Sequence, residues 1–149
     1  MNSIDFTVYA VPVAQPRQRH RIIQTKGGKL FAHNYTPKRD PVNAFKFMVK
    51  QEALHLMADR LGVMQGPLGF DLLVYLPRSK KFDAKKYGHG AIWHSGQKDF
   101  DNLAKSVTDA LQGIVFNNDG QICWAVIKKY YHERGGKPRV EISIRQLEQ

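Results

Sequence analysis

The sequence lacks several features that mark large classes of proteins. It contains one cysteine, Cys123, so no disulfide can form within the chain. Because apolar residues flank Cys123, we predict that it is buried and takes no part in catalysis. No apolar run approaches the roughly 20 residues that a membrane-spanning helix needs, and residues 1–5 lack the pattern of a secretory signal. These absences predict a cytoplasmic protein with no membrane partner.

Motifs of several catalytic classes are missing as well. The histidines are scattered and form no H-E-x-x-H pattern, and a single cysteine excludes C-x-x-C metal sites. Neither G-x-x-x-x-G-K-[ST] nor G-x-G-x-x-G occurs, so the sequence gives no support for binding of a nucleotide cofactor. No serine or cysteine lies in the context of an activated nucleophile.

Acidic residues are scarce. Asp and Glu number 13 against 23 Lys and Arg, which gives a net charge of +10 and a pI of about 9.8. A charge this far from zero indicates an anionic partner, and nucleic acid is the best candidate in a chain without membrane features. The 149 residues, 42% of them hydrophobic, fit one compact domain over residues 1–149.

The first half of the chain alternates strand and helix patterns. Apolar and polar residues alternate over residues 4–11, which predicts a strand. Gly27-Gly28 predicts the turn of a β-hairpin within residues 22–33. Asp40-Pro41 is typical of a helix start, and apolar spacing extends that helix to about residue 61. Residues 68–76 are predicted to form another strand.

The second half completes the predicted fold. A long polar loop spans residues 78–98, and a helix capped by Asp101 is predicted over residues 102–111. Strands follow over residues 122–131 and 139–145. We therefore predict an α+β fold, a mixed and mostly antiparallel sheet with two helices packed on one face, in the order β, β-hairpin, α, β, α, β, β.

The few acids are concentrated in one stretch, "QKDFDNLAKSVTDALQGIVFNNDGQI", which carries Asp99, Asp101, Asp109 and Asp119. In an extended segment Asp99 and Asp101 point the same way, about 6–7 Å apart along the chain. Such a pair can share a hard cation, and Mg²⁺ often uses few carboxylates. Lys105 lies one helical turn after Asp101, where its ammonium can contact a phosphate, orient a water or stabilise developing negative charge.

Simpler interpretations exist for each acid taken alone. Asp101 suits a helix N-cap, and Asp109, one turn after Lys105, suits an ion-pair partner of that lysine. Asn, Asp and Gly are the residues most common in turns, so Asp119 in "NNDG" is compatible with a turn that has no further role. Clustered acids repel one another, and cations or basic neighbours commonly offset that repulsion, so the clustering strengthens the case for a bound cation at this stretch.

Basic residues form clusters beside aromatic residues in predicted loops. Basic loops neutralise phosphates, and aromatic rings stack on unpaired bases. No recognition helix is evident, so reading of sequence in a groove is not predicted. The predicted DNA-binding residues are Arg17, Arg19, Arg21, Lys38, Arg39, Arg78, Lys80 and Lys81.

The stretch "KDFDNLAKSVTDAL" followed by "FNNDGQI" resembles the signature of RusA-type Holliday junction resolvases, a family often carried by prophages, and "QPRQRHRI" and "AHNYTPKRD" are similar to its N-terminal half. The resemblance implies that Asp99, Asp101 and Asp119 bind a catalytic Mg²⁺ and that Lys105 assists at the phosphate. It also implies a homodimer that cuts opposite strands of a four-way DNA junction. Family members often have two adjacent acids in the last turn, whereas Asn118 precedes Asp119 here.

The expected activity is therefore Mg²⁺-dependent hydrolysis of phosphodiester bonds in branched DNA, leaving a 3′-hydroxyl and a 5′-phosphate. Two alternatives remain open at this point. The chain is compatible with a non-catalytic basic DNA-binding module whose acids only cap a helix and pair with lysines. It is also compatible with a structure-specific nuclease that acts on a different substrate.

Overall fold

A computed structural model describes residues 2–149. The main sheet has five strands in the order β1 (Ser3–Val8), β7 (Arg139–Gln146), β4 (Leu68–Leu76), β6 (Ile122–Tyr131) and β5 (Ile92–Trp93). Only the β4–β6 pair is parallel; the other pairs, β1–β7, β4–β7 and β5–β6, are antiparallel. The fold is thus α+β with a mixed, mostly antiparallel sheet, which confirms the predicted fold class.

Both long helices cover one face of this sheet. Helix α1 (Pro41–Met57) contacts β1, helix α3 (Phe100–Leu111) contacts β6, and the two helices contact each other. Along β4 the buried side chains alternate with half-buried ones, as expected for a strand with one covered face. The core between the layers includes Phe70, Leu72 and Val74 of β4. The other face carries the half-buried side chains of β4 and is called the open face below.

The hairpin stands apart from this core. Strands β2 (Arg19–Gln24) and β3 (Leu30–Tyr35) pair antiparallel with each other and form a separate two-stranded sheet. Nearly every residue of both strands is exposed. A lone two-stranded hairpin is marginally stable in water. This projection, residues 19–35, is called the hairpin arm below.

Several predicted boundaries are wrong by a few residues. The first strand ends at Val8 and not at residue 11, because its pairing with β7 ends at Val140, one residue from the start of that strand. Helix α1 ends at Met57 and not near residue 61, since the chain turns there with Arg60 N–H donating to Met57 O. Within the predicted polar loop lie a short helix, α2 (Ala84–Tyr87), and the edge strand β5.

Cys123 corrects another prediction, because the structure places it in an exposed position. The register between β4 and β6 shifts at Leu68/Gly69, opposite the first residues of β6. On its other side β6 pairs with β5 only at Tyr130 and Tyr131, so its first half has an open edge. Apolar neighbours in the sequence therefore do not bury this cysteine. No helix among residues 2–149 is long and apolar enough to cross a membrane.

Candidate active site

The first turn of α3 carries two of the predicted ligands. Asp99 is the N-cap residue of the helix, and Asp101 lies inside the first turn. The prediction that Asp101 caps the helix is therefore wrong, because the N-cap lies two residues earlier. The two aspartates also do not share an extended segment, since Asp101 is helical. Asp99 Oδ2 accepts a hydrogen bond from Asn102 Nδ2 at 3.3 Å, and Asp101 Oδ1 accepts one from Asn102 N at 2.9 Å. Both carboxylates are exposed at the N-terminal end of α3.

Lys105 lies at the centre of an ion cluster. Its Nζ is 2.9 Å from Asp109 Oδ1 and 3.2 Å from Asp119 Oδ2. Asp109 is also 3.8 Å from Nζ of Lys46 on α1. The predicted pairing of Asp109 with Lys105 is confirmed. Because the side chains are partly exposed, these pairs contribute little to stability, and their main consequence is to fix the position of the Lys105 ammonium.

The charge of Lys105 follows from the same contacts. Its hydrogen bond to Asp109, together with the hydrogen bond to Asp119 and the charges of both acids, raises the pKa of Lys105 above its ordinary value. Lys105 therefore remains an ammonium ion at neutral pH. Such a group stabilises negative charge and is unable to serve as a general base.

Asp119 lies in a turn that several hydrogen bonds hold in place. It begins a short 3₁₀ helix, Asp119–Gln121, which Asn118 caps by accepting a hydrogen bond from Gly120 N at 2.7 Å. Gln121 Oε1 accepts from the backbone N–H groups of Asn117 and Asn118, while its Nε2 donates to the carbonyl oxygens of Met64 and Gly66. The amide oxygen of Asn118 thus has a structural partner, and Gln121 ties the acidic turn to the segment before β4.

The three aspartates predicted to bind metal are not grouped as a ready ligand set. Among residues 2–149 no three His, Cys, Asp or Glu side chains are spaced to hold a metal ion. The chemistry of the individual donors does fit a hard cation, because Asp99 and Asp101 present exposed carboxylate oxygens. Gln15 adds a buried amide oxygen with no hydrogen-bond partner in the described chain. Its backbone N–H donates to Asn102 O at 2.8 Å, so Gln15 lies beside the first turn of α3.

The basic residues fall into different environments. Arg17, Arg19, Arg21, Lys38, Arg39, Lys80 and Lys81 are exposed. Arg78 is half-buried, and its guanidinium donates to the carbonyl oxygens of Phe82, Gly88 and Gly90. Arg78 therefore stabilises the conformation of the loop over residues 78–98. Phe82 also packs on Tyr131 with ring centroids 4.5 Å apart, so this predicted polar loop is anchored to the end of β6.

Segment 94–98 leads directly into α3 and is also anchored. Lys129 Nζ donates to the carbonyl oxygens of Lys98 and Gly96. His94 packs against Tyr131, and burial together with the charge of Lys129 lowers the pKa of His94. His94 is therefore neutral at pH 7 and contributes no positive charge for a phosphate.

Sequence reasoning missed Gln15, Lys46 and Gln121. Gln15 and Gln121 act through backbone groups far away in the chain, and Lys46 reaches Asp109 from another helix. No local sequence pattern predicts these long-range contacts. For Gln121, a glutamine three residues after an Asn in a turn was a visible capping-box signal.

Comparison with known proteins identifies the family of the chain. A family model described as Endodeoxyribonuclease RusA matches residues 10–145, which include the hairpin arm, α3 and the acidic turn. The chain is also similar to an uncharacterized protein, YqaN, of Bacillus subtilis (strain 168), with 33% identity over 153 residues that cover 99% of each chain. The chain therefore belongs to the RusA endodeoxyribonuclease family.

Proposed function

We propose that this protein is a Mg²⁺-dependent endodeoxyribonuclease that resolves four-way DNA junctions by paired hydrolytic cuts. The observation that carries the proposal is the Lys105 ammonium, which Asp109 and Asp119 hold one helical turn from Asp101. A fixed cation beside exposed carboxylates, in a chain of net charge +10, suits a negatively charged substrate whose charge increases in the transition state. Membership of an endodeoxyribonuclease family supports the same chemistry.

In this proposal Asp99, Asp101 and Asp119 would hold Mg²⁺, which when bound polarises a phosphate and lowers the pKa of a bound water. Lys105 stabilises the extra negative charge of the phosphorane-like transition state. Its contact with Asp119 keeps the ammonium beside one of these carboxylates before DNA arrives. Cleavage would leave a 3′-hydroxyl and a 5′-phosphate.

The hairpin arm is proposed to grip DNA backbone. Because paired residues of an antiparallel hairpin share a face, one face of the arm carries Arg19, Arg21 and His33 together with Phe31 and Tyr35. The opposite face is largely uncharged, with Ile22 and Ala32 at its centre. The hydrogen bond from Gln15 N to Asn102 O holds the chain beside the first turn of α3 four residues before the arm begins. Phosphates bound by the cationic face would thus lie next to the carboxylates.

Paired cuts on opposite strands require two active sites, so a symmetric homodimer is part of the proposal. Each site would act on one strand of the junction. Branched DNA is then the partner, with Lys38, Arg39, Lys80 and Lys81 as further phosphate contacts outside the arm.

One observation favours a second candidate, a non-catalytic DNA-binding module. In the described chain the three aspartates do not converge, and Asp119 is engaged by Lys105. Gel-shift and cleavage assays on the same junction, with Mg²⁺ or with EDTA, separate the two functions. Nicking that requires Mg²⁺ supports the nuclease. Tight junction binding with no nicking under either condition supports the module and contradicts the proposed function.

The arm gives a prediction about binding. Replacing Arg19 and Arg21 together by glutamine is expected to weaken binding to every DNA about tenfold near 0.1 M salt, because fewer phosphates are neutralised. The slope of log affinity against log salt should become shallower by about 0.9 for each phosphate that the variant no longer neutralises. Fluorescence anisotropy over a salt series measures both quantities.

The matched control removes two positive charges elsewhere, at Lys50 on α1 and at Lys137 in the turn before β7. The double variant of these lysines to glutamine should keep the slope of the wild-type protein. An equal loss in both double variants would mean that only net charge matters, and the arm would have no special role.

A further inference from the structure

A row of stacked side chains crosses the open face of the sheet. Trp93 on β5 stacks on Tyr130 of β6, with ring centroids 4.6 Å apart and planes 24° apart. Tyr130 stacks in turn on Tyr75 of β4 at 5.2 Å and 20°. The guanidinium carbon of Arg139 on β7 lies 3.8 Å from the centre of the Tyr75 ring. Because these residues are direct partners across adjacent strands, the row is built into the register of the sheet.

The row has one half-buried end and one exposed end. Tyr75, Tyr130 and Arg139 are half-buried, whereas Trp93 is 66% exposed on an edge strand of two residues. One face of its indole is supported by Tyr130. The exposed indole is therefore held flat at the sheet edge by neighbours that are themselves stacked, which lowers the entropy lost when a ligand covers it.

The open end of the row lies at the edge from which the chain enters the candidate active site. Five residues separate Trp93 from Asp99, and Lys129, the neighbour of Tyr130, donates to the carbonyl oxygen of Lys98 within that segment. Lys128 lies two residues before Tyr130, on the same face of β6, and supplies positive charge beside the row. A flat aromatic platform next to a cation suits a nucleobase attached to its phosphate.

We propose that Trp93 is a stacking site for an unpaired nucleobase of the bound DNA. A base inside a duplex has both faces covered by its neighbours, so only a base that has left the stack can lie on Trp93. A branch point offers such bases, which would link this site to the choice of branched over linear DNA. The inference rests on the proposed function for the identity of the DNA, but base stacking itself requires no cleavage.

The second tryptophan provides a matched control. The chain contains two tryptophans, and Trp124, also on the open face, is 48% exposed but stacks against the Arg145 guanidinium at 4.0 Å instead of an aromatic ring. Trp124→Phe leaves Trp93 as the only indole, and Trp93→Phe leaves Trp124. Each single-tryptophan protein thus reports on one position.

The test measures tryptophan emission in EDTA with three DNAs: a four-way junction, a duplex with a one-base bulge and a fully paired duplex. In the Trp124→Phe protein, emission should be quenched by the junction and the bulged duplex and at most slightly by the paired duplex. In the Trp93→Phe protein the three DNAs should have equal, small effects. Equal quenching of Trp93 by paired and bulged DNA, or no quenching by any DNA, contradicts the proposal.

Affinity gives an independent readout. Trp93→Ala should weaken binding of the bulged duplex about tenfold and leave paired duplex within about twofold, whereas Trp93→Phe should retain most of the preference. Far-UV circular dichroism checks that the Trp93→Ala variant is folded. If that variant is unfolded, the emission test with Trp124→Phe still decides the proposal, because it does not use the alanine variant. A Trp93 emission that shifts on dilution of DNA-free protein would identify a second copy of the chain as the occupant and would also contradict the proposal.

The outcome of the stacking test and the outcome of the cleavage test are independent of each other. Selective quenching of Trp93 without any cleavage in Mg²⁺ would support the stacking site and reject the nuclease. Cleavage of junctions without selective quenching would support the nuclease and reject the stacking site.

Discussion

Replacing Asp101 by asparagine is expected to reduce cleavage of a four-way junction at least about a hundredfold, with junction affinity within about threefold of the wild-type value. Asparagine has nearly the same size and keeps an oxygen that can accept the hydrogen bond from Asn102 N. The helix should therefore form normally. The variant lacks one negative charge at the place where a hard cation and a phosphate would meet.

The measurement is single-turnover cleavage in Mg²⁺ together with gel-shift binding in EDTA. Asp59→Asn removes the same charge from an exposed position just after α1 and should cleave at the wild-type rate. Wild-type cleavage by Asp101→Asn would contradict the assignment of Asp101. A parallel loss in Asp59→Asn would point to a general effect of charge.

The second large effect is expected at Lys105. Lys105→Met keeps the length and apolar stem of the side chain but removes the ammonium that contacts Asp109 and Asp119. Cleavage should fall about 10²–10³-fold, as when a single group that stabilises transition-state charge is removed. The decrease should appear in kcat with little change in KM, because the interaction strengthens in the transition state.

Lys46→Met is the control for this variant. Lys46 approaches the same Asp109 from α1 and carries the same charge, but its contact is with Asp109 Oδ2 at 3.8 Å, whereas Lys105 also reaches Asp119. Lys46→Met should therefore cleave at close to the wild-type rate. If the two lysine variants lose activity equally, or if Lys105→Met changes only KM, Lys105 has no specific role at the transition state.

The sequence predicts elements well where local periodicity decides them. Strand β4 lies over the predicted residues because its β-prone apolar run is bounded by turn residues on both sides, and the Asp40-Pro41 start of α1 is confirmed by the hydrogen bond from Val42 N to Asp40 Oδ1. Ends are less predictable, because pairing partners set them. Strand β1 stops where β7 begins, and no residue between Val8 and Val11 signals that limit.

The same distinction between local and long-range contacts applies to the candidate site. The Lys105–Asp109 pair lies within one helix, so its spacing of four residues was sufficient to predict it. The contact of Lys105 with Asp119 spans 14 residues and a turn, and the anchoring of that turn by Gln121 spans more than 50 residues. Such contacts depend on how α3 packs beside β6. The stacked row through Trp93 likewise depends on strand register, which the sequence alone does not determine.

The most direct test is to map the cuts in a synthetic four-way junction. Each strand is labelled in turn at its 5′ end, and the protein is incubated with Mg²⁺ or with EDTA. We expect paired nicks at symmetric positions on two opposite strands, in Mg²⁺ only, with ends that a DNA ligase can rejoin. Junctions that are bound but remain uncut, or that are cut no faster than linear duplex, would contradict the proposed function.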